Sequence, residues 1–181
     1  PMAKRQKDIT GLSNILSGLA GKISVPTVSS YVSYSEDAWL LLRIRNISSA
    51  FVEKESLCKY YLIDNGLISL QLMNADTALL ENLVALDLFR RYGHDDDNQT
   101  VWFYSDNIEV DFYVPEEKLA IQASYSIRGD ETRERETEGL KKFPKVHPCE
   151  RRVIITYDEE ETITDALGTI EVIPYWKWAL Q

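Results

Sequence analysis

The sequence predicts a mixed α/β (α+β) protein in two parts. Residues 1–70 read as a small helical module closed by a hairpin, and residues 71–181 as an α-β-β-β-α-β core. Three observations predict this. Apolar residues recur at helical spacing at Ile9, Leu12, Ile15, Leu16 and Leu19, and again through Val25, Val28, Tyr31, Val32 and Tyr34. Two short runs rich in Leu, Ile and Tyr come next, Trp39–Ile44 and Lys59–Ile63. From Leu79 onward an apolar helix leads into three strand-like runs, a charged helix and a further strand.

Bulk composition sets outer limits. The 181 residues are 44% apolar and 27% charged, the usage of a soluble globular chain with a sizeable core. No run of eighteen apolar residues suggests a membrane span, and Lys4, Arg5 and Lys7 open a polar segment unlike a secretory leader. Two cysteines are too few for a disulfide framework or a structural zinc site, so a cytoplasmic setting is expected. Charge is unevenly spread. Residues 1–59 hold eight basic and five acidic side chains, and residues 60–181 hold twelve against twenty-four. An acidic body repels a phosphate backbone unless positive charge is concentrated locally. The chain opens Pro-Met, which points to a piece of a longer polypeptide.

The elements can be taken in order. Gly18 and Gly21 are expected to end the first helix, and Ser24 to cap the second, with Pro26 tolerated in its first turn. Helix, turn, helix and a two-stranded hairpin is the outline of a winged helix-turn-helix. Its second helix presents Thr27, Ser29, Ser30, Ser33 and Ser35 where a reader of DNA bases carries Arg, Lys, Asn or Gln. Lys22, Arg43, Arg45 and Lys54 form a modest candidate patch for nucleic acid. Asp64-Asn65-Gly66 signals a turn, Leu67–Leu72 a short helix, and Asp76 or Thr77 the cap of the next one. Leu79–Tyr92 is apolar on nearly every side, which implies burial, and it carries Glu81. Strands are expected at Val101–Tyr104, Glu109–Val114 and Leu119–Ser126. Strict alternation would group Glu109, Asp111 and Tyr113 against Val110, Phe112 and Val114. Asp130–Phe143 reads as a solvated helix laced with ion pairs, stopped by Pro144 and Pro148. Arg152–Tyr157 reads as a buried strand. Asp158–Glu161 reads as an acidic turn capping a short helix to Leu167, Thr169–Ile173 as a last strand, and Tyr175–Trp178 as a closing segment.

Glu81 on the helix, Asp111 on the second strand, and Gln122 and Ser124 on the third are the polar residues whose spacing suggests chemistry. Carboxylates converging on a divalent cation activate water and offset charge building on a phosphate. Glu81 and Asp111 are candidate ligands for magnesium or manganese, hard cations that prefer oxygen. This order resembles the core of the restriction-endonuclease-like nucleases, in which a helix glutamate, a strand aspartate and a subsequent (Asp/Glu)-x-Lys hold the metal. Here that last element is Gln122-Ala123-Ser124, so a carboxylate and the lysine are missing. Lys118, Arg128 and Lys141 are candidates for a displaced lysine, and nothing in their spacing selects one. Two other patterns fail. Gly18–Ser24 lacks the Ser or Thr that a phosphate loop needs directly after its lysine, and His147-Pro148-Cys149 lacks the partners of a zinc deaminase site.

Lys59–Leu67, Leu79–Val84 and Glu109–Phe112, with Gln122–Ser126 and Arg151–Asp158 after them, resemble the C-terminal half of a family of prokaryotic AAA-type P-loop ATPases. In that family an ATPase domain precedes a winged-helix segment and a nuclease-like domain. The resemblance implies that ATP is used only by the N-terminal ATPase domain absent from this chain, and that this domain is the first partner. It carries the glutamate and aspartate over to Glu81 and Asp111. The reading expected from it is a non-catalytic interaction or regulatory region with a degenerate nuclease site. A magnesium- or manganese-dependent DNA nuclease using Glu81 and Asp111, and a DNA-binding regulator working through the hairpin module, are the alternatives.

Overall fold

A computed structural model describes residues 21–48, 58–69, 76–93 and 99–181, with Ser13, Ser17 and Gly18. Most of the expected first helix, Lys54 and the acidic loop at 95–97 lie outside the described residues. Helix α1 (Val25–Asp37) begins as its sequence requires. Ser24 Oγ accepts the Thr27 N–H at 3.3 Å, and Pro26 sits where a missing N–H costs nothing. Strands β1 (Leu41–Arg45) and β2 (Cys58–Leu62) form an antiparallel pair. The first of them starts later than expected because Trp39 has a left-handed backbone, with φ of 56°. Asn65 and Gly66 are not a free turn. They open a short helix, α2 (Asn65–Ser69), with Asp64 Oδ1 accepting the Gly66 N–H at 2.6 Å.

Helix α3 (Asp76–Tyr92) is succeeded by β3 (Trp102–Ser105), β4 (Glu109–Val114), β5 (Leu119–Ala123), α4 (Asp130–Lys142) and β6 (Arg151–Thr156), the expected α-β-β-β-α-β order. Strands β7 (Glu161–Asp165) and β8 (Gly168–Pro174) and a terminal helix, α5 (Tyr175–Trp178), complete the chain. The mixed sheet runs β3-β4-β5-β6-β8-β7, with β5, β6 and β8 parallel and the rest antiparallel. The short helix expected before Leu167 is instead β7. Its Thr162-Ile163-Thr164 run is β-branched throughout, Asp165 Oδ1 accepts the Leu167 N–H at 2.7 Å, and Gly168 supplies a φ of 116° for the tight return.

Each face of the sheet is covered. Val84, Ala85, Leu88 and Phe89 of α3 pack on Phe112, Val114, Ile121, Val153 and Ile155. Leu140 of α4 and Phe143 just after it pack on Tyr104, Val110, Tyr113, Ile154 and Val172. The hairpin joins the α3 side. Leu42, Ile44 and Tyr61 belong to that same core, and Asn46 bridges to Phe103 so that β1 abuts the β3 edge. At the far end Trp178 Nε1 donates to Asp87 at 2.9 Å and Arg91 donates to the Trp178 carbonyl at 3.0 Å, which ties α5 to α3.

Two local irregularities shape the sheet around Asp111. In the β3–β4 pairing, Trp102 faces Tyr113 while Tyr104 faces Val110, so β4 spends one residue more than β3. This bulge breaks the expected alternation, because Val110 and Tyr113 both join the α4-side core while Phe112 and Val114 join the α3-side core. The second is the approach of α4 to β4. A Cβ placed on Gly139 would lie 2.3 Å from the Glu109 carbonyl oxygen. Gly→Ala inside an uncrowded helix gains about 1 kcal/mol. Gly139→Ala is expected to do the reverse and cost about 1–3 kcal/mol through backbone overlap, read as a lower urea midpoint at constant slope.

Candidate functional site

Lys59 is the residue around which the polar groups gather. It faces the core from β2, and its strand partner is the fully buried Ile44. A lysine there must be neutralised. Its Nζ lies 2.8 Å from Asp111 Oδ1 and 3.4 Å from both Glu81 Oε1 and Glu109 Oε1. The Phe103 ring lies beneath it, with the centroid 5.6 Å away. Glu81 and Asp111 are buried, at 6% and 5% side-chain exposure, whereas Glu109 reaches solvent. Burial alone opposes charge on Lys59, yet Asp111, then Tyr61, Glu81 and Glu109, hold its pKa well above the ordinary lysine value. Burial, and then the Glu81 charge, pushes Tyr61 well up, so its hydroxyl stays a donor and binds Glu81 Oε1 at 2.8 Å.

The β4 bulge brings Asp111 to this point. The regular β4–β5 ladder stops at Phe112, and side chains continue it. The Asp111 N–H donates to Gln122 Oε1 at 2.7 Å, and the Ala123 N–H donates to Asp111 Oδ2 at 3.1 Å. Gln122 also reaches through to the other layer, donating from Nε2 to Glu136 Oε2 at 2.9 Å. Glu136 is 1% exposed and takes a second bond from Arg135 at 2.6 Å. An open cleft of ≈ 370 Å³ adjoins these groups, lined by Asp111, Gln122, Arg135, Glu136 and Lys142 among others. On the hairpin side Asn82, next to Glu81, holds Leu62 as a strand would. Its Oδ1 accepts the Leu62 N–H and its Nδ2 donates to the Leu62 carbonyl, both at 2.8 Å.

Glu81 and Asp111 therefore meet at the Lys59 ammonium, and Gln122 is linked to them only through the Asp111 backbone N–H. Ser124 does not join them, since its hydroxyl donates to the Ser126 carbonyl. The lysine beside the carboxylates is Lys59, not Lys118, Arg128 or Lys141. Lys118 pairs with Glu150, Arg128 pairs with Asp158 and Glu159, and Lys141 projects from the exposed side of α4. Glu136 overturns the reading of α4 as wholly solvated. A signal for each missed residue was present. Lys59 is the lone charge in Cys58–Ile63, and Glu136 lies four and seven residues before Leu140 and Phe143, on their face. Of the basic patch, Arg43 contacts Glu36 at 2.9 Å and Arg45 donates to Gln99 at 3.3 Å, while Lys22 is exposed.

The residues do not fit a divalent metal as they stand. An ammonium lies between the two carboxylates where the ion would sit, and the Gln122 carbonyl is aimed at a backbone N–H. Among the described residues, no three His, Cys, Asp or Glu side chains form a metal-binding group.

No protein-family model matches the chain, and no solved structure matches it. It is similar to the uncharacterized protein MJ1544 of Methanocaldococcus jannaschii, at 33% identity over 180 residues, covering 95% of this chain and 40% of that protein. The chain thus spans less than half the length of that relative. Among the described residues no helix is long and apolar enough to cross a membrane.

The charges make the site testable by stability. Lys59→Met strands two buried carboxylates and should cost about 3–5 kcal/mol in urea unfolding, whereas Lys59→Met/Glu81→Gln/Asp111→Asn should recover most of that loss. The pH dependence has a sign at each end. Hydrogen bonds from Arg133 and Arg152 hold Glu161 and Asp165 below the ordinary carboxylate range. Their contribution is present above the unfolded values near about pH 4 and is lost as pH falls through the folded ones. The raised Lys59 contribution is complete below about pH 10 and is lost as pH climbs through its folded value. The urea midpoint of the wild type should therefore fall in acid, and Asp165→Asn should flatten that fall.

Proposed function

We propose that this chain is a non-catalytic interaction or regulatory region of an AAA-type ATP-binding protein, with the ATPase domain outside these 181 residues. The observation that carries the reading is the Lys59 ammonium between Glu81 and Asp111. A carboxylate pair already bridged by a side-chain ammonium is a structural element, and the third strand offers Gln122 and Ser124 where a working nuclease needs an acid and a lysine. The α-β-β-β-α-β order supports descent from a nuclease-like core, and the greater length of the archaeal relative leaves room for a further domain. Its partner in this reading is the ATPase domain, and its setting is the cytoplasm.

A magnesium- or manganese-dependent nuclease is the rival. The open cleft beside Asp111 favours it, because a phosphate could approach there with Lys59 close behind the carboxylate. Incubation of the wild type and Asp111→Ala with linear and supercoiled DNA in manganese separates the two. The proposal expects no metal-dependent cleavage from either protein. Cleavage by the wild type that disappears in Asp111→Ala would establish the nuclease.

A further inference from the structure

We infer that Lys59 is the resident cation of this site, so that the hairpin lysine and a divalent ion compete for the same carboxylates. The inference builds on the non-catalytic reading above and adds what keeps metal out. Three carboxylate oxygens, from Glu81, Glu109 and Asp111, surround one ammonium at 2.8–3.4 Å. They come from α3 and from two positions of the bulged β4, and they converge on a point that belongs to neither element. Carboxylates brought together this way repel one another unless a cation lies between them. The chain supplies that cation from a third element, β2, which is tied to α3 by contacts beside the lysine. Tyr61 donates to Glu81, and Asn82 takes both backbone groups of Leu62. Lys59 is thus delivered to the carboxylates by the same contacts that dock the hairpin. A divalent ion placed there would put like charge against an ammonium with little room to withdraw, since its side chain is only 11% exposed. Metal entry requires the lysine to leave.

Removing the ammonium while keeping the carboxylates tests this. Wild type, Lys59→Met and Lys59→Met/Asp111→Asn are titrated with manganese chloride alone by calorimetry, without DNA, and their urea midpoints are measured with and without the ion. The expected result is at least tenfold tighter manganese binding by Lys59→Met than by the wild type. Binding should be lost again in the double variant, and the ion should raise the urea midpoint of Lys59→Met alone. If Lys59→Met folds only when manganese is present, that recovery is the same result. Manganese binding by the wild type as tight as that of Lys59→Met overturns the inference. So does a Lys59→Met protein that manganese neither binds nor refolds while Lys59→Met/Glu81→Gln/Asp111→Asn folds normally. The readout is separate from cleavage. Manganese binding by the wild type as tight as that of Lys59→Met, without cleavage, would remove the competition and leave the non-catalytic reading intact.

Discussion

The buried charge cluster on Lys59 is the constraint to which the other features answer. An ammonium at a core-facing strand position is tolerated only with opposite charge at contact distance. Asp111 and Glu81 provide it. The Tyr61 hydroxyl shares Glu81 Oε1 with the ammonium, and the Ala123 N–H takes the second oxygen of Asp111. Replacing any member leaves another uncompensated. The cluster therefore links the hairpin, α3 and β4 beside the apolar core that Leu42, Ile44 and Tyr61 share with α3.

Polar contacts cross the sheet at this point and join the two helical layers. The bulge in β4 interrupts the ladder where Asp111 must turn, and Gln122 fills the gap by accepting a backbone N–H and donating to Glu136 on the opposite helix. Helix α4 can come close enough because Gly139 lets it rest against the Glu109 carbonyl. Lys59, Asp111, Gln122, Glu136 and Arg135 thus form one connected polar path through the protein, crossing the sheet between its apolar halves. Such a path is worth its desolvation cost only if every member is satisfied, and each of these five has a partner.

Legibility tracked the range of the interaction that decides each feature. The all-round apolarity of α3, the Ser24 cap and the buried run of β6 are local patterns, and each formed where its residues indicated. The segment after Asp158 departs from the expected helix because its charged approach resembles a helix cap, while pairing with β8 rewards the Thr-Ile-Thr run more strongly. The bulge was invisible because one extra residue in a strand leaves no mark in composition, yet it changes which face Tyr113 occupies.

By itself the sequence determined a mixed α/β chain, the order of its core elements, and the candidacy of Glu81, Asp111 and Gln122. Those come from periodicity and from polar residues placed within apolar runs. Only the tertiary structure decided that Lys59, 52 positions from Asp111 and 22 from Glu81, sits between them, and that Glu136 completes the path. The physical reason is that a charge inside a core has no local signature of its partner. Coulomb attraction depends on distance in space, and that distance was set by a hairpin docking on a helix and a strand bulging beneath it.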